Sequence, residues 1–181
     1  SSSGTYDDNR WSDDATKLAF ISTSRDHKVE KVRIADAATG DVKEIFEEKV
    51  ATQYESGQGA INFHFLQASN EIIWYSERDD WGHLYIYDAT TGKQKNQVTK
   101  GDFVVTRLLK IDEKNRVLYF EANGREKGRD PYFSHFYRIN FDGSKLQLLT
   151  PEDGNHTVSL SPDMKYFVDN YSKPDVPPVS V

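Results

Sequence analysis

Cysteine is absent from the 181 residues, which removes disulfides and thiolate metal ligands together and leaves the redox compartment unmarked. No apolar run approaches the roughly 20 residues that a membrane-spanning helix needs. The opening Ser1-Ser2-Ser3-Gly4-Thr5 has neither the basic nor the apolar region of a secretory leader, so residues 1–10 read as a tail or a vector-derived segment. Basic residues are outnumbered, 23 against 29 acidic, for a net charge of −6, and they form no stripe. Without such a stripe there is nothing to neutralise a phosphate backbone, and nucleic acid is not an expected partner. No G-x-S-x-G is present, so the chain has no nucleophile elbow and no catalytic motif of its own.

What is present suits strands. Aromatics make up 13%, with ten Tyr, ten Phe and three Trp in a chain that is 36% hydrophobic. That mix fits pleated, half-buried surfaces better than helical bundles. The length allows one domain with a real core and argues against two full ones.

The organisation shows in a repeated phrase, Asp36-Ala37-Ala38-Thr39-Gly40 and Asp88-Ala89-Thr90-Thr91-Gly92. Four short apolar runs keep the same rhythm: Lys17–Ser22, Glu71–Ser76, Arg116–Glu121 and Lys165–Asp169. Each follows a turn rich in Asp, Asn or Ser, so a preceding strand folds back onto it. Alternation resumes at Val29–Ile34, His83–Tyr87 and Phe136–Asn140, the third strands. Glycine then stands where positive φ is needed, at Gly40, Gly92 and Gly143, and polar fourth strands follow, such as Val42–Phe46 and Lys145–Leu149. The fold class expected is all-β: a partial β-propeller of about three and a half four-stranded antiparallel blades, over residues 11–48, 61–101, 105–150 and 156–181, the last incomplete. A β-sandwich uses similar strands, but the repeated corner favours the propeller. The free edges are expected to be exposed, and the ending Pro177-Pro178-Val179-Ser180-Val181 to stop without a capping element.

Two stretches carry a resemblance. Trp74-Tyr75-Ser76-Glu77-Arg78-Asp79-Asp80-Trp81-Gly82-His83-Leu84-Tyr85-Ile86-Tyr87 resembles a blade of the dipeptidyl peptidase IV family. Val158 to Val179, with Ser161-Pro162-Asp163 at its turn, is similar to the last blade of that family's N-terminal propeller, and with the blades between them the likeness runs over about residues 11–181. The resemblance implies a serine exopeptidase that removes N-terminal dipeptides with proline or alanine second. In it the propeller precedes an α/β-hydrolase domain, screens peptide substrates by size and docks that domain. It further implies a periplasmic, secreted or cell-surface home, with a homodimer of the parent as one open assembly. The family's amine-holding acids lie in an earlier part of its propeller, so none carries over here, and Glu47-Glu48 is not recruited for being a pair. The nucleophile, Asp and His would lie beyond Val181. Against this stands a freestanding propeller-like module that binds protein or glycan and has no peptidase activity.

No cofactor or metal is expected. The histidines His27, His64, His83, His135 and His156 lack ligand spacing, and His83 is read as packed. Asp112-Glu113-Lys114-Asn115 fails as a calcium loop, having Lys114 at its third position and Val117 where glycine is required. Asn155-His156-Thr157 fits a glycosylation sequon of little weight. In a meander blade the loop from second to third strand and the link to the next blade emerge together, opposite the D-A-x-T-G corners. That face collects Ser22–Lys28, Lys49–Ala60, Ser76–Gly82 and Ala122–Ser134, and long loops on a rigid scaffold are where binding concentrates. Arg78, Trp81, Arg125 and Arg129 are the expected contacts there to a partner domain or a peptide carboxylate.

Overall fold

The computed structural model describes residues 9–53 and 63–181. Fifteen strands and no helix occur among the described residues, in two compact units: Ser1–Asp80 with Leu84–Gln97, and Trp81–His83 with Val98–Val181. The start of the expected second blade at residue 61 and much of the Lys49–Ala60 link lie outside the described residues.

The first unit holds two four-stranded antiparallel meanders. One is β1 (Asn9–Trp11), β2 (Lys17–Thr23), β3 (Val29–Asp36) and β4 (Val42–Lys49). The other is β5 (Phe63–Leu66), β6 (Glu71–Ser76), β7 (His83–Asp88) and β8 (Gln94–Gln97). Strand β1 begins inside the segment read as a tail, because Asn9 and Arg10 pair with Phe20 and Ala19. Alternation sends Ala19, Ile21, Val32 and Ile34 to one face, where they meet Phe63, Ile72, Trp74, Tyr85 and Tyr87 of the second sheet. Phe46 joins the sheets, edge-on to Trp74 at 5.3 Å and stacked on Tyr87 at 4.0 Å. Burying an aromatic of that size stabilises by about 3 kcal/mol, so this seam outweighs any surface ion pair in the unit.

The second unit holds a four-stranded meander of β9 (Val104–Asp112), β10 (Val117–Asn123), β11 (Ser134–Asn140) and β12 (Gln147–Leu148). Beside it lies a three-stranded one of β13 (Asn155–Leu160), β14 (Phe167–Lys173) and β15 (Val176–Ser180). Phe136 packs edge-on to Phe167 at 5.3 Å between them. Two features depart from the sequence reading. Strand β14 starts at Phe167, not Lys165, because the Tyr166 amide is spent on Ser161 Oγ at 3.1 Å and extends the turn. The proline-bearing terminus is a strand: Val179 and Ser180 pair with Tyr171 and Asn170, and Val181 exchanges two 2.9 Å backbone bonds with Asp169. Pro177 and Pro178 fall at the register shift between Tyr171 and Lys173, where no ladder donor is demanded of them.

The turns are built from one design. The first hairpin of each sheet carries a non-glycine residue at positive φ: Ala15 (54°), Asn70 (52°), Arg116 (58°) and Met164 (58°). In two of them a Ser hydroxyl donates to the Asp two positions on, Ser12 to Asp14 at 2.7 Å and Ser161 to Asp163 at 2.8 Å. Ser24 and Asp26 repeat it at 2.6 Å between β2 and β3. At the D-A-x-T-G corners the leading carboxylate accepts two backbone amides, from Ala38 and Thr39 onto Asp36 and from Thr90 and Thr91 onto Asp88. These bonds hold both carboxyls below their ordinary range, the Thr39 and Thr91 amides contributing most.

Candidate functional site

Arg78 lies in the β6–β7 turn of the first unit, and its guanidinium is committed on several sides. Nε donates to Ser76 Oγ at 2.9 Å, one terminal nitrogen to Tyr87 Oη at 2.8 Å and Gln94 Oε1 at 3.0 Å, and the other to Glu48 Oε2 at 2.8 Å. The guanidinium also covers the Tyr85 ring at 4.3 Å. Burial is the largest influence and opposes its charge, but the Glu48 carboxylate and the Tyr87 hydroxyl together outweigh it and hold the guanidinium above its usual range. Burial beside Asp79 pushes the Tyr85 hydroxyl up to about 12. Glu48 itself, on β4, accepts from Trp74 Nε1, Ser76 Oγ and Arg78, so one buried carboxylate ties the two sheets together. Its neighbour Glu47 points to the opposite face and pairs with Lys49 at 2.9 Å and Lys31 at 3.5 Å. Strand alternation alone separates the two glutamates.

The other three expected contacts belong to the second unit. Trp81 is exposed, at 38%. Arg125 and Arg129 share the loop from β10 to β11. Arg125 pairs with Glu126 at 2.7 Å and faces the Tyr137 ring at 5.5 Å. Arg129 donates to the carbonyls of Glu152 at 2.8 Å and Pro151 at 2.5 Å in the β12–β13 link. The same loop exposes Tyr132 at 85%, a residue the sequence reading passed over because nothing in its spacing marks it. His83, fully buried, has Nδ1 3.1 Å from Thr99 Oγ1 and Nε2 2.9 Å from the Gly101 carbonyl, and meets Phe103 edge-on at 5.0 Å. Among the described residues no three His, Asp or Glu side chains converge as a metal site.

A second concavity lies at the other end of the first unit. A cavity of about 420 Å³ opens between the corners of its two sheets, lined by Lys17, Asp36, Asp41, Lys43, Asn70 and Thr90 among others. Its polar groups serve the corners: Lys43 Nζ donates to the Thr90 carbonyl at 2.7 Å and Thr39 Oγ1 to Asp41 at 3.0 Å. Those contacts close the corners on themselves.

Successive four-stranded antiparallel meanders, joined in chain order and sharing turn chemistry, are blades; the chain is a partial β-propeller. It belongs to the dipeptidyl peptidase IV family, matching the description "Dipeptidyl peptidase IV (DPP IV) N-terminal region" over residues 2–178. It is 30% identical to dipeptidyl peptidase 4 of Arthroderma otae over 107 residues, which is 56% of this chain and 13% of that one. It is likewise 30% identical over 110 residues to dipeptidyl peptidase 4 of Trichophyton rubrum, with the same coverage. The crystal structure of Porphyromonas gingivalis dipeptidyl peptidase 4 shares the fold, with a TM-score of 0.80 and 22% identity over 95% of this chain and 23% of that one. The aligned part thus spans about an eighth of the curated relatives' length.

Proposed function

We propose that this chain is the noncatalytic propeller portion of a serine exopeptidase that removes N-terminal Xaa-Pro or Xaa-Ala dipeptides, gating substrate access and docking an α/β-hydrolase domain. The observation that carries the reading is the family match over residues 2–178, with folded blades beneath it. In this reading turnover comes from a partner domain of the parent, because the 181 residues carry no G-x-S-x-G elbow. The loops then act through shape and charge within each unit. In the second unit, braced Arg125 and Arg129 and exposed Trp81 and Tyr132 supply polar and apolar contact to the hydrolase domain or to a peptide, and in the first unit Arg78 supplies a polar one. A periplasmic, secreted or cell-surface setting and a dimeric parent belong to the same proposal.

The test uses a glycyl-prolyl chromogenic substrate. The 181-residue chain is expected to give no turnover. The parent, read past Val181, is expected to carry a G-x-S-x-G followed by Asp and then His and to turn the substrate over until its elbow serine is replaced. A parent frame that stops, or continues without an elbow, overturns the peptidase reading and leaves a binding propeller.

A further inference from the structure

In the second unit two imidazoles meet out of solvent. His135 on β11 is 2% exposed and His156 on β13 is 3% exposed, with ring centroids 4.9 Å apart. Their hydrogen bonding differs sharply. His156 has Nδ1 2.7 Å from Asp169 Oδ2 and Nε2 3.0 Å from the Glu152 carbonyl. A carbonyl oxygen only accepts, so Nε2 donates, and the short Nδ1 bond to a carboxyl oxygen needs a second proton; the pair holds one on each bond. His135 has neither ring nitrogen in a hydrogen bond, and the Thr150 backbone approaches without making one. The chemistry therefore stores a proton on one side of the contact and leaves an unpartnered neutral ring on the other.

We propose that the His135–His156 contact is an acid-sensitive latch which, on gaining a further proton, opens the loop end of the β9–β12 and β13–β15 sheets. Every element around His135 contributes charge. The β10–β11 loop brings Arg129 and Glu126, the β12–β13 link brings Asp153, β13 brings His156 and β14 brings Asp169. A cation on His135 would be buried, close to Arg129 and to the His156–Asp169 pair. Burial, with His156 and Arg129 second and third, holds the His135 imidazole below its ordinary value. A lowered folded value means that the unfolded state takes up the proton first. The stability contributed is full above the ordinary imidazole value of about 6.5 and falls as pH drops below it, until the folded ring titrates. The opening has a defined place. Arg129 and His156 both bind the Glu152 carbonyl, and the Ser134 amide donates to Asn155 Oδ1 at 2.9 Å, so the latch and the loop from β10 to β11 share one set of anchors.

Amide hydrogen exchange on the 181-residue chain at pH 7.5 and 5.5, corrected for intrinsic rates, tests this. Protection of β11, β13 and residues 124–133 is expected to fall about tenfold per unit of pH below the imidazole range, and to fall less than twofold in His135→Phe, which keeps the ring and loses the proton site. Equal loss in the two proteins, or no loss in the wild type, overturns the latch. If His135→Phe does not fold, the His135 ring resonance in the wild type is followed by NMR. A titration midpoint coinciding with the exchange transition supports the proposal; a ring that stays neutral through the transition overturns it.

Discussion

At the scale of the residue, Glu47 and Glu48 show how little a paired motif says until alternation is applied to it. Glu48 is buried and accepts from an indole, a hydroxyl and a guanidinium, whereas Glu47 pairs with exposed Lys49 and half-buried Lys31. Removing Glu48 strands three donors and leaves the Arg78 charge uncompensated in a partly buried place. Glu48→Ala is therefore expected to cost about 3 kcal/mol, and Glu47→Ala no more than about 0.5 kcal/mol, in urea unfolding. Equal costs would mean that the carboxylate does not join the two sheets. Sequence reasoning singled out Arg78 from its place in a loop as a contact to a partner or peptide and did not pair it with Glu48, because a counter-charge 30 positions away has no local signature.

The element scale belongs to the corners. Gly40 and Gly92 hold the same position in successive sheets, at φ of 77° and 70°, so both require the left-handed region. Their surroundings differ. A Cβ on Gly40 meets nothing within 4 Å, while one on Gly92 overlaps the Ile45 carbonyl of the neighbouring sheet's β4. Gly40→Ala is expected to lower stability by about 1 kcal/mol through backbone strain alone, and Gly92→Ala by about 3 kcal/mol or more, because the second corner must also back away from β4. Thermal melts of the two variants separate the terms, and matching shifts would show that the corner does not seat on β4. The repeat made both glycines legible as turn residues. It could not reveal which of them touches another sheet.

For the whole molecule, the acidic turns set a common limit. Asp14, Asp26 and Asp163 are held below the usual carboxylate range chiefly by a Ser hydroxyl, and Asp36 and Asp88 chiefly by backbone amides. A depressed folded value contributes stability that is present above about pH 4 and lost as pH falls through the folded value. Both units should thus unfold together in a far-ultraviolet circular dichroism titration below pH 4, separately from any local opening near the imidazole range. Native strand signal retained down to pH 2 would refute that role for the turn carboxylates.

What the sequence by itself determined was the order of the strands, the repeated corners and the family. Those depend on period-two alternation, turn chemistry and residue identity, which are local and survive without coordinates. Only the tertiary structure decided that Arg78 is braced by Glu48, that Gly92 rests on β4, that the prolines of β15 sit at a register shift, and that His135 and His156 share a buried contact. The Arg78, Gly92 and His135 contacts join residues far apart in the chain whose proximity follows from how sheets stack, which is set by long-range packing that no local pattern encodes, and the β15 register shift depends on pairing that a proline-bearing terminus does not announce.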